Sequence, residues 1–315
     1  MTPDPARALG VDVGGTKINA VRTDADGEIE AREVLETPAE DTDATLEALL
    51  AALAAVRDGS VRSVGIGAAG LVETGSGILR YAPNLVWRDV PIAKVVEAAL
   101  DLPVVVENDC SAAAYGEFRL GAARGHRHVL YVGVGTGIGG GIVVDGRLDR
   151  GAHGFAGEIG HVIVEPGGPR CGCGNDGCWE TVASGRALAR EGREAARTDP
   201  ALAARAGGDP ADVRGEDVTE AARAGDPAAS EIVERVGRRL GEGIAGLINV
   251  LDPDIVVLGG GVVRAADLLL PAARAAAAAA VEGGVHRPEV PIVPAALGVD
   301  AAAVGAALLA LEERP

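Results

Sequence analysis

The sequence predicts an α/β protein made of two related halves with a cleft between them. Three observations carry this expectation. Short apolar runs alternate with amphipathic stretches of helical length. The opening "ALGVDVGGTKINAVRTDADGEI" is echoed in form by "HVLYVGVGTGIGGGIVVDGRL" later in the chain, a weak internal repeat. Both copies read as a strand, a Gly/Thr-rich bend, a second strand and a turn.

The elements follow in order. The first strand, "ALGVDVGG", bends at "GGTK" into a second strand that turns at Asp26-Gly27, a dipeptide suited to a hairpin tip. A helix over Asp41 to Arg57 carries Leu46, Leu49, Leu50, Leu53 and Val56 on one stripe. "SVGIGAAG" reads as a buried strand, Pro91 to Leu100 as a helix, and "LPVVVENDC" as a buried strand with a polar end. A helix from about Ser111 to Leu120 precedes the repeat, and Glu117 to Gly125 is the expected junction. In the second half, Ser184 to Ala224 reads as polar and helical, with "RAGGDPADVRGED" as an exposed loop. Asp226-Pro227 then reads as an N-cap and first-turn proline. The helix after it places Ile232, Val236, Leu240, Ile244, Leu247 and Leu251 at three- or four-residue steps. "DPDIVVLGGGVV" is a strand running into a triple glycine, and Asp300 to Leu311 is a closing helix.

Composition narrows the function class. With 315 residues and 48% apolar content the chain can build a sizeable core, and with 2% aromatics that core is aliphatic. A net charge of −17 repels nucleic acid and anionic membranes. The start "MTPDPARALG" lacks the basic and apolar regions of a secretion signal, and no apolar run is long enough to span a membrane. Four cysteines in so long a chain do not form a disulfide framework, so a cytoplasmic location with reduced thiols is expected.

The glycine loops point to phosphate. "DVGGTK", Asp12 to Lys17, lacks the Walker A spacing. "GTGIGG" at Gly135 to Gly140 matches GxGxxG but leads into a strand, whereas a dinucleotide motif opens a helix. A Gly/Thr bend can instead turn backbone N–H groups toward one anion. Thr16 and Thr136 add hydroxyl donors, Lys17 a charge, and Asp12 an oxygen ligand for Mg²⁺. Gly259 to Gly261 would let a flat ring approach the backbone. At "VVVENDC" two readings stand side by side: Asp109 accepts a proton from an alcohol with Asn108 fixing the substrate, or Asp109 caps the following helix.

Taken together, "DVGGTK", "APNL", "END", "GTGIGGG", "GEIGH" and "CGCGNDGCWE" occur in the order found in ROK-family sugar kinases, and the chain resembles that family from about Leu9 to its last helix. "YAPNLVWRDVPI" and "CWETVASGRAL" resemble the bacterial glucokinases of the family. The resemblance implies two actin-like (ribonuclease H-like) domains with a deep interdomain cleft. Expected bounds are 1–118 for a small N-terminal domain and 119–299 for a larger one, with a final helix at about 300–315 packing back on the first. It implies ATP- and Mg²⁺-dependent phosphorylation of a sugar 6-hydroxyl, glucose above all. Another hexose, N-acetylmannosamine or a polyphosphate donor are the alternatives, and a non-catalytic sugar sensor is the reading from another class. Asp109 would be the general base. Asn84, Asn108, Glu158, His161 and Glu180 would bind sugar hydroxyls, with Gly70 contributing backbone. Gly14, Gly15, Thr16 and Lys17, with Thr136, Gly137, Gly259 and Gly260, would line the nucleotide site. A homo-oligomer, dimer or tetramer, is also implied. The repressors of the family carry an N-terminal helix-turn-helix, and with a first strand within ten residues of Met1 none is expected here.

"RCGCGNDGCW" packs three cysteines into eight residues, one ligand short of a structural zinc site. His161, ten residues before Cys171, supplies the fourth, giving a closed Cys₃His site with Cys171, Cys173 and Cys178. Such a zinc would clamp the segments carrying Glu158 and Glu180 into one wall. It would brace the site rather than perform the chemistry. Cys110 is expected to be a small packed residue, not a catalytic thiol.

Overall fold

A computed structural model of the chain describes residues 6–313; the stretch read for a secretion signal lies partly outside them. The protein is mixed α/β. Strands β1 (Arg7–Val13) and β2 (Lys17–Thr23) form an antiparallel hairpin that β3 (Ile29–Glu36) extends. The β2–β3 turn closes at the expected place, with the Asp24 carboxylate accepting from the amides of Asp26 and Glu28 and Gly27 at φ 81°. Helix α1 (Thr42–Val56) is capped by Asp41, which accepts from the Ala44 amide, and it buries Leu49, Leu53 and Val56.

Next come β4 (Val61–Ala68), a small meander of β5 (Leu71–Glu73), β6 (Ile78–Tyr81) and β7 (Arg88–Val90), helix α2 (Ile92–Leu100), β8 (Val104–Asn108) and helix α3 (Asp109–Arg119). The first large sheet has the order β3-β2-β1-β4-β8, with β1, β4 and β8 mutually parallel. Their register sets Asp12 beside Gly67 and Gly67 beside Glu107, so the polar residues gather at one carboxyl edge.

The second half supplies β9 (Val129–Val134), β10 (Ile138–Val144) and β11 (Arg147–Leu148). Helices α4 (Glu180–Ala183), α5 (Gly185–Ala196), α6 (Pro200–Arg205), α7 (Gly215–Arg223) and α8 (Pro227–Leu251) follow. Then come β12 (Ile255–Gly259), α9 (Ala266–Ala280), β13 (Ile292–Pro294) and α10 (Ala301–Glu312). The second large sheet, β11-β10-β9-β12-β13, repeats the arrangement of the first. The chain divides into two compact units, Met1–Tyr131 with Gly140–Gly157 and Ala295–Pro315, and Val132–Gly139 with Glu158–Pro294.

Two expectations need correction. "RAGGDPADVRGED" is not wholly an exposed loop: Val213 is fully buried and α7 starts at Gly215. Burying one β-branched side chain pins the segment against α5, where Arg193 Nε donates to the Val213 carbonyl at 3.1 Å. On α8 the stripe holds through Ile244, but Ile248 replaces Leu247 as the buried residue. Four-residue steps turn the buried face by about 40° each on a straight helix, so its course is set by what packs on α8, α9 above all, and not by the period of the helix itself.

Helix α10 is buried on nearly every side, from Ala301 to Ala310. It packs on β1, β4 and α3. The contact is backbone to backbone: a Cβ at Gly10 or Gly65 would collide with the carbonyl oxygens of Ala303 and Ala306, and one at Gly305 with that of Ala112. Ala and Gly at these positions let a helix approach the sheet more closely than larger side chains permit. Gly65→Ala is therefore expected to destabilise the protein by about 1–3 kcal/mol by overpacking. Gly59→Ala, where no atom lies within 4 Å, is expected to leave it nearly unchanged, as urea denaturation midpoints will read.

Candidate active site

In the first unit the site begins at the carboxyl edge of β1, β4 and β8. The register alone would leave Asp12 and the start of α3 two strands apart. Gly67 on the intervening strand removes any side chain between them, and a Cβ there would lie 3.6 Å from the Asp109 Cα. The two carboxylates therefore interact. Burial, and then the charge of Asp109, push the Asp12 carboxyl up to about 7. Burial also raises Asp109, against the Cys110 amide, which donates to it at 2.8 Å and favours the carboxylate. A carboxylate pair short of counter-charge, with oxygen donors only, is chemically suited to a hard divalent cation such as Mg²⁺.

The structure separates the two readings of "END". Asn108 is the N-cap of α3: its Oδ1 accepts from the amides of Cys110 at 2.9 Å and Ser111 at 3.0 Å. Its Nδ2 donates to the Gly70 carbonyl at 3.1 Å, leaving one side-chain N–H for a ligand. Asp109 stands one residue inside the helix and is not the cap. Capping by Asn108 releases Asp109 for other chemistry.

The first glycine bend is held by its carbonyls. Gly14 N–H donates to the Lys17 carbonyl at 3.0 Å, the Thr37 hydroxyl to the Gly14 carbonyl at 2.8 Å, and the Thr37 amide to the Thr16 carbonyl at 3.0 Å. Thr16 and Lys17 are exposed at its tip. Gly15 leaves room for Asn84, whose Cβ would be 2.8 Å from a Cβ at Gly15, so the "APNL" turn rests directly on this bend.

In the second unit the bend at Gly135 to Gly137 leans on α5. The amides of Gly185 and Arg186, in the first turn of α5, donate to the carbonyls of Gly135 and Thr136 at 2.9 and 3.3 Å. Gly137 is small because the Glu180 carboxylate lies over it, with Oε2 3.4 Å from the Ile138 amide that donates to it. Gly260, at φ 80°, presses its backbone on the Val134 carbonyl; this contact already requires a glycine there, besides any approach of a flat ring.

Glu158, His161 and Glu180 come together beside the cysteines. Nδ1 of His161 lies 3.6 Å from Cys171 Sγ and 4.0 Å from Glu180 Oε1, while Nε2 faces Glu158 Oε2 at 3.7 Å. Cys173 and Cys178 Sγ atoms are 3.6 Å apart, and one ligand atom from each of His161, Cys171, Cys173 and Cys178 falls within 4.8 Å of the others. A tetrahedral zinc with ordinary bond lengths sets edges of about 3.8 Å between sulfurs and about 3.5 Å from sulfur to nitrogen. The residues fit that ion. Burial pushes the Cys171 and Cys178 thiols up, and a divalent cation would reverse this by holding them as thiolates. The two flanking segments are also tied by backbone, with the Trp179 amide donating to the Val162 carbonyl at 2.8 Å and the Val164 amide to Gly177 at 2.9 Å.

The chain matches the ROK family over residues 8–313. It belongs to that family. It is 41% identical over 316 residues to a glucokinase of Streptomyces coelicolor, covering 98% of each chain. It is 37% identical over 267 residues to a glucokinase of Thermotoga maritima, covering 84% of each. Among solved structures it resembles a ROK glucokinase from Streptomyces griseus in complex with glucose and AMPPNP, with a TM-score of 0.89 and 42% identity, covering 97% of this chain and 99% of that one.

Sequence reasoning missed two buried carboxylates of the first unit. Glu107, 4% exposed, is paired with Arg150. Glu117, fully buried, accepts from the amides of Ala122, Ala296 and Leu297 at 2.8, 3.0 and 2.7 Å. A signal existed for Glu107, since a carboxylate ending a valine run needs a partner once buried.

Two outcomes follow. A carboxyl raised from 3.8 to about 7 keeps its proton in the folded state where the unfolded chain has lost it. Its cost is absent below the lower value and complete above the upper one. Asp12→Asn should stabilise the metal-free protein by an amount that grows as pH rises from 4 to 7 and then levels, read by thermal melts across pH. Zinc should be found at one equivalent per chain by elemental analysis. Its removal by a chelator should lower the melting temperature and weaken sugar binding together; full sugar affinity in zinc-free protein would separate the brace from the site.

Proposed function

We propose that this chain is a glucokinase that transfers the γ-phosphoryl group of ATP to the 6-hydroxyl of glucose. The observation that carries the chemistry is the placement of Asp109, adjacent to Asp12 and relieved of capping by Asn108. The choice of glucose is supported by relatives of that activity along the whole length of the chain.

In this reading Asp109 accepts the proton of the sugar 6-hydroxyl as the oxygen attacks phosphorus, a role that contributes roughly 10²–10⁴-fold. Asn108 directs its remaining side-chain N–H to the sugar, and Asn84, His161, Glu158 and Glu180 read the other hydroxyls. Glu180 is held by the Ile138 amide, which donates to its Oε2, so an epimer that misplaced the hydroxyl Glu180 reads would leave its other oxygen without that partner. The amides of the Gly14–Thr16 bend, the Lys17 ammonium and the Thr136 hydroxyl hold the polyphosphate. Mg²⁺ held through Asp12 would neutralise charge on the transferring oxygens. Among the described residues no helix is long and apolar enough to cross a membrane. Cys171, Cys173 and Cys178 are not joined in disulfides, which supports a reducing, cytoplasmic setting.

Glucose with ATP should give glucose 6-phosphate in a panel that also offers mannose, N-acetylmannosamine and a polyphosphate donor. Asp109→Asn should lower kcat by at least about a hundredfold while glucose still binds, as calorimetry and a coupled assay will show. A mutant retaining more than about a hundredth of kcat would remove Asp109 as the base. A panel with no product from any sugar would remove the kinase reading.

A further inference from the structure

The residue that ends the β8 valine run is a buried anion in need of a partner. Glu107 Oε1 accepts from the Asn108 amide at 2.9 Å, and Oε2 is gripped by the Arg150 guanidinium. The other arm of Arg150 reaches the Glu313 carboxylate at 2.8 and 3.0 Å. Burial pushes the Glu107 carboxyl up, and Arg150 pulls it back toward the ionised form. Asn108 is thereby fixed three ways: its amide by Glu107, its Oδ1 by the first turn of α3, and its Nδ2 by Gly70. Asp109 is the next residue.

We propose that Arg150 is a positioning residue for the candidate base: by pairing with Glu107 and keeping it aimed, it fixes Asn108 and so the helical turn on which Asp109 stands. This rests on the kinase reading of Asp109. Arg150 lies outside every motif of the site and touches none of the proposed sugar or phosphate groups. Without its guanidinium the buried, uncompensated Glu107 carboxylate would turn toward solvent, and the Asn108 amide would lose its acceptor. Displacement of a catalytic group by about 1 Å can cost on the order of a hundredfold in rate.

A double-mutant cycle tests this. Arg150→Met should lower kcat roughly tenfold or more, while KM for glucose moves much less. Adding Glu107→Gln should recover part of that loss, because no buried charge is left unpaired and a glutamine Oε1 still accepts from Asn108. Guanidinium at about 20 mM should raise kcat of Arg150→Met but not of the double mutant, as expected when it supplies the missing partner of a buried charge. Hydrogen exchange at the Cys110 and Ser111 amides should be faster in Arg150→Met and return toward wild type in the double mutant. Wild-type kcat in Arg150→Met, purely multiplicative losses in the double mutant, or unchanged exchange at the start of α3 would each overturn the inference. If the wild type phosphorylated no sugar, the kinase reading would fail on its own, and the exchange data would still decide whether Arg150 orders this turn.

Discussion

Everything in the first unit is referred to the seam where α10 meets β1, β4 and α3 with no side chains between the backbones. Gly10, Gly65 and Gly305 make that approach possible, and the alanines of α10 fill the remaining space. Packing of this kind is intolerant of volume, so it holds its elements in one relative position rather than a family of them. The strand that carries Asp12 near its carboxyl end and the helix that begins with Asp109 are both parties to the seam. Their spacing is thus set by close-packed backbone and not by the two carboxylates, which repel.

That repulsion is the second theme. In the first unit the fold leaves two anions, Asp12 and Asp109, side by side and short of counter-charge. Glu107 is the contrast. It is buried but has its own arginine, and its charge is used inside the protein to orient Asn108. Buried carboxylates with an internal partner are structural, and those without one are where a cation or substrate proton belongs. The zinc-type cluster extends the same logic. With zinc bound it would fix the backbone beside Glu158 and Glu180, and the imidazole of His161 faces the cysteines with one nitrogen and Glu158 with the other.

Much of this was legible from residue order. The alternation of strands and helices, the Asp226 cap, the hairpin at Asp26-Gly27 and the Cys₃His set all depend on interactions within a few residues or on ligand chemistry, and such signals survive in sequence. The drift of the α8 stripe to Ile248 and the burial of Val213 were not legible, because each depends on what packs opposite.

The amino-acid sequence by itself determined the class of fold, which rests on residue type and periodicity, and it carries the motifs whose resemblance to the family names the candidate site residues. Only the tertiary structure decided which member of Asn108-Asp109 caps α3. Both side chains can cap, and the choice turns on Asn108 also reaching Gly70 across 38 residues of chain. Tertiary structure alone also decided that Gly15 and Gly137 are glycines to admit Asn84 and Glu180, and that Arg150 answers Glu107 from 43 residues away. Contacts of that range are set by how strands register and helices pack, and no local pattern in the chain encodes them.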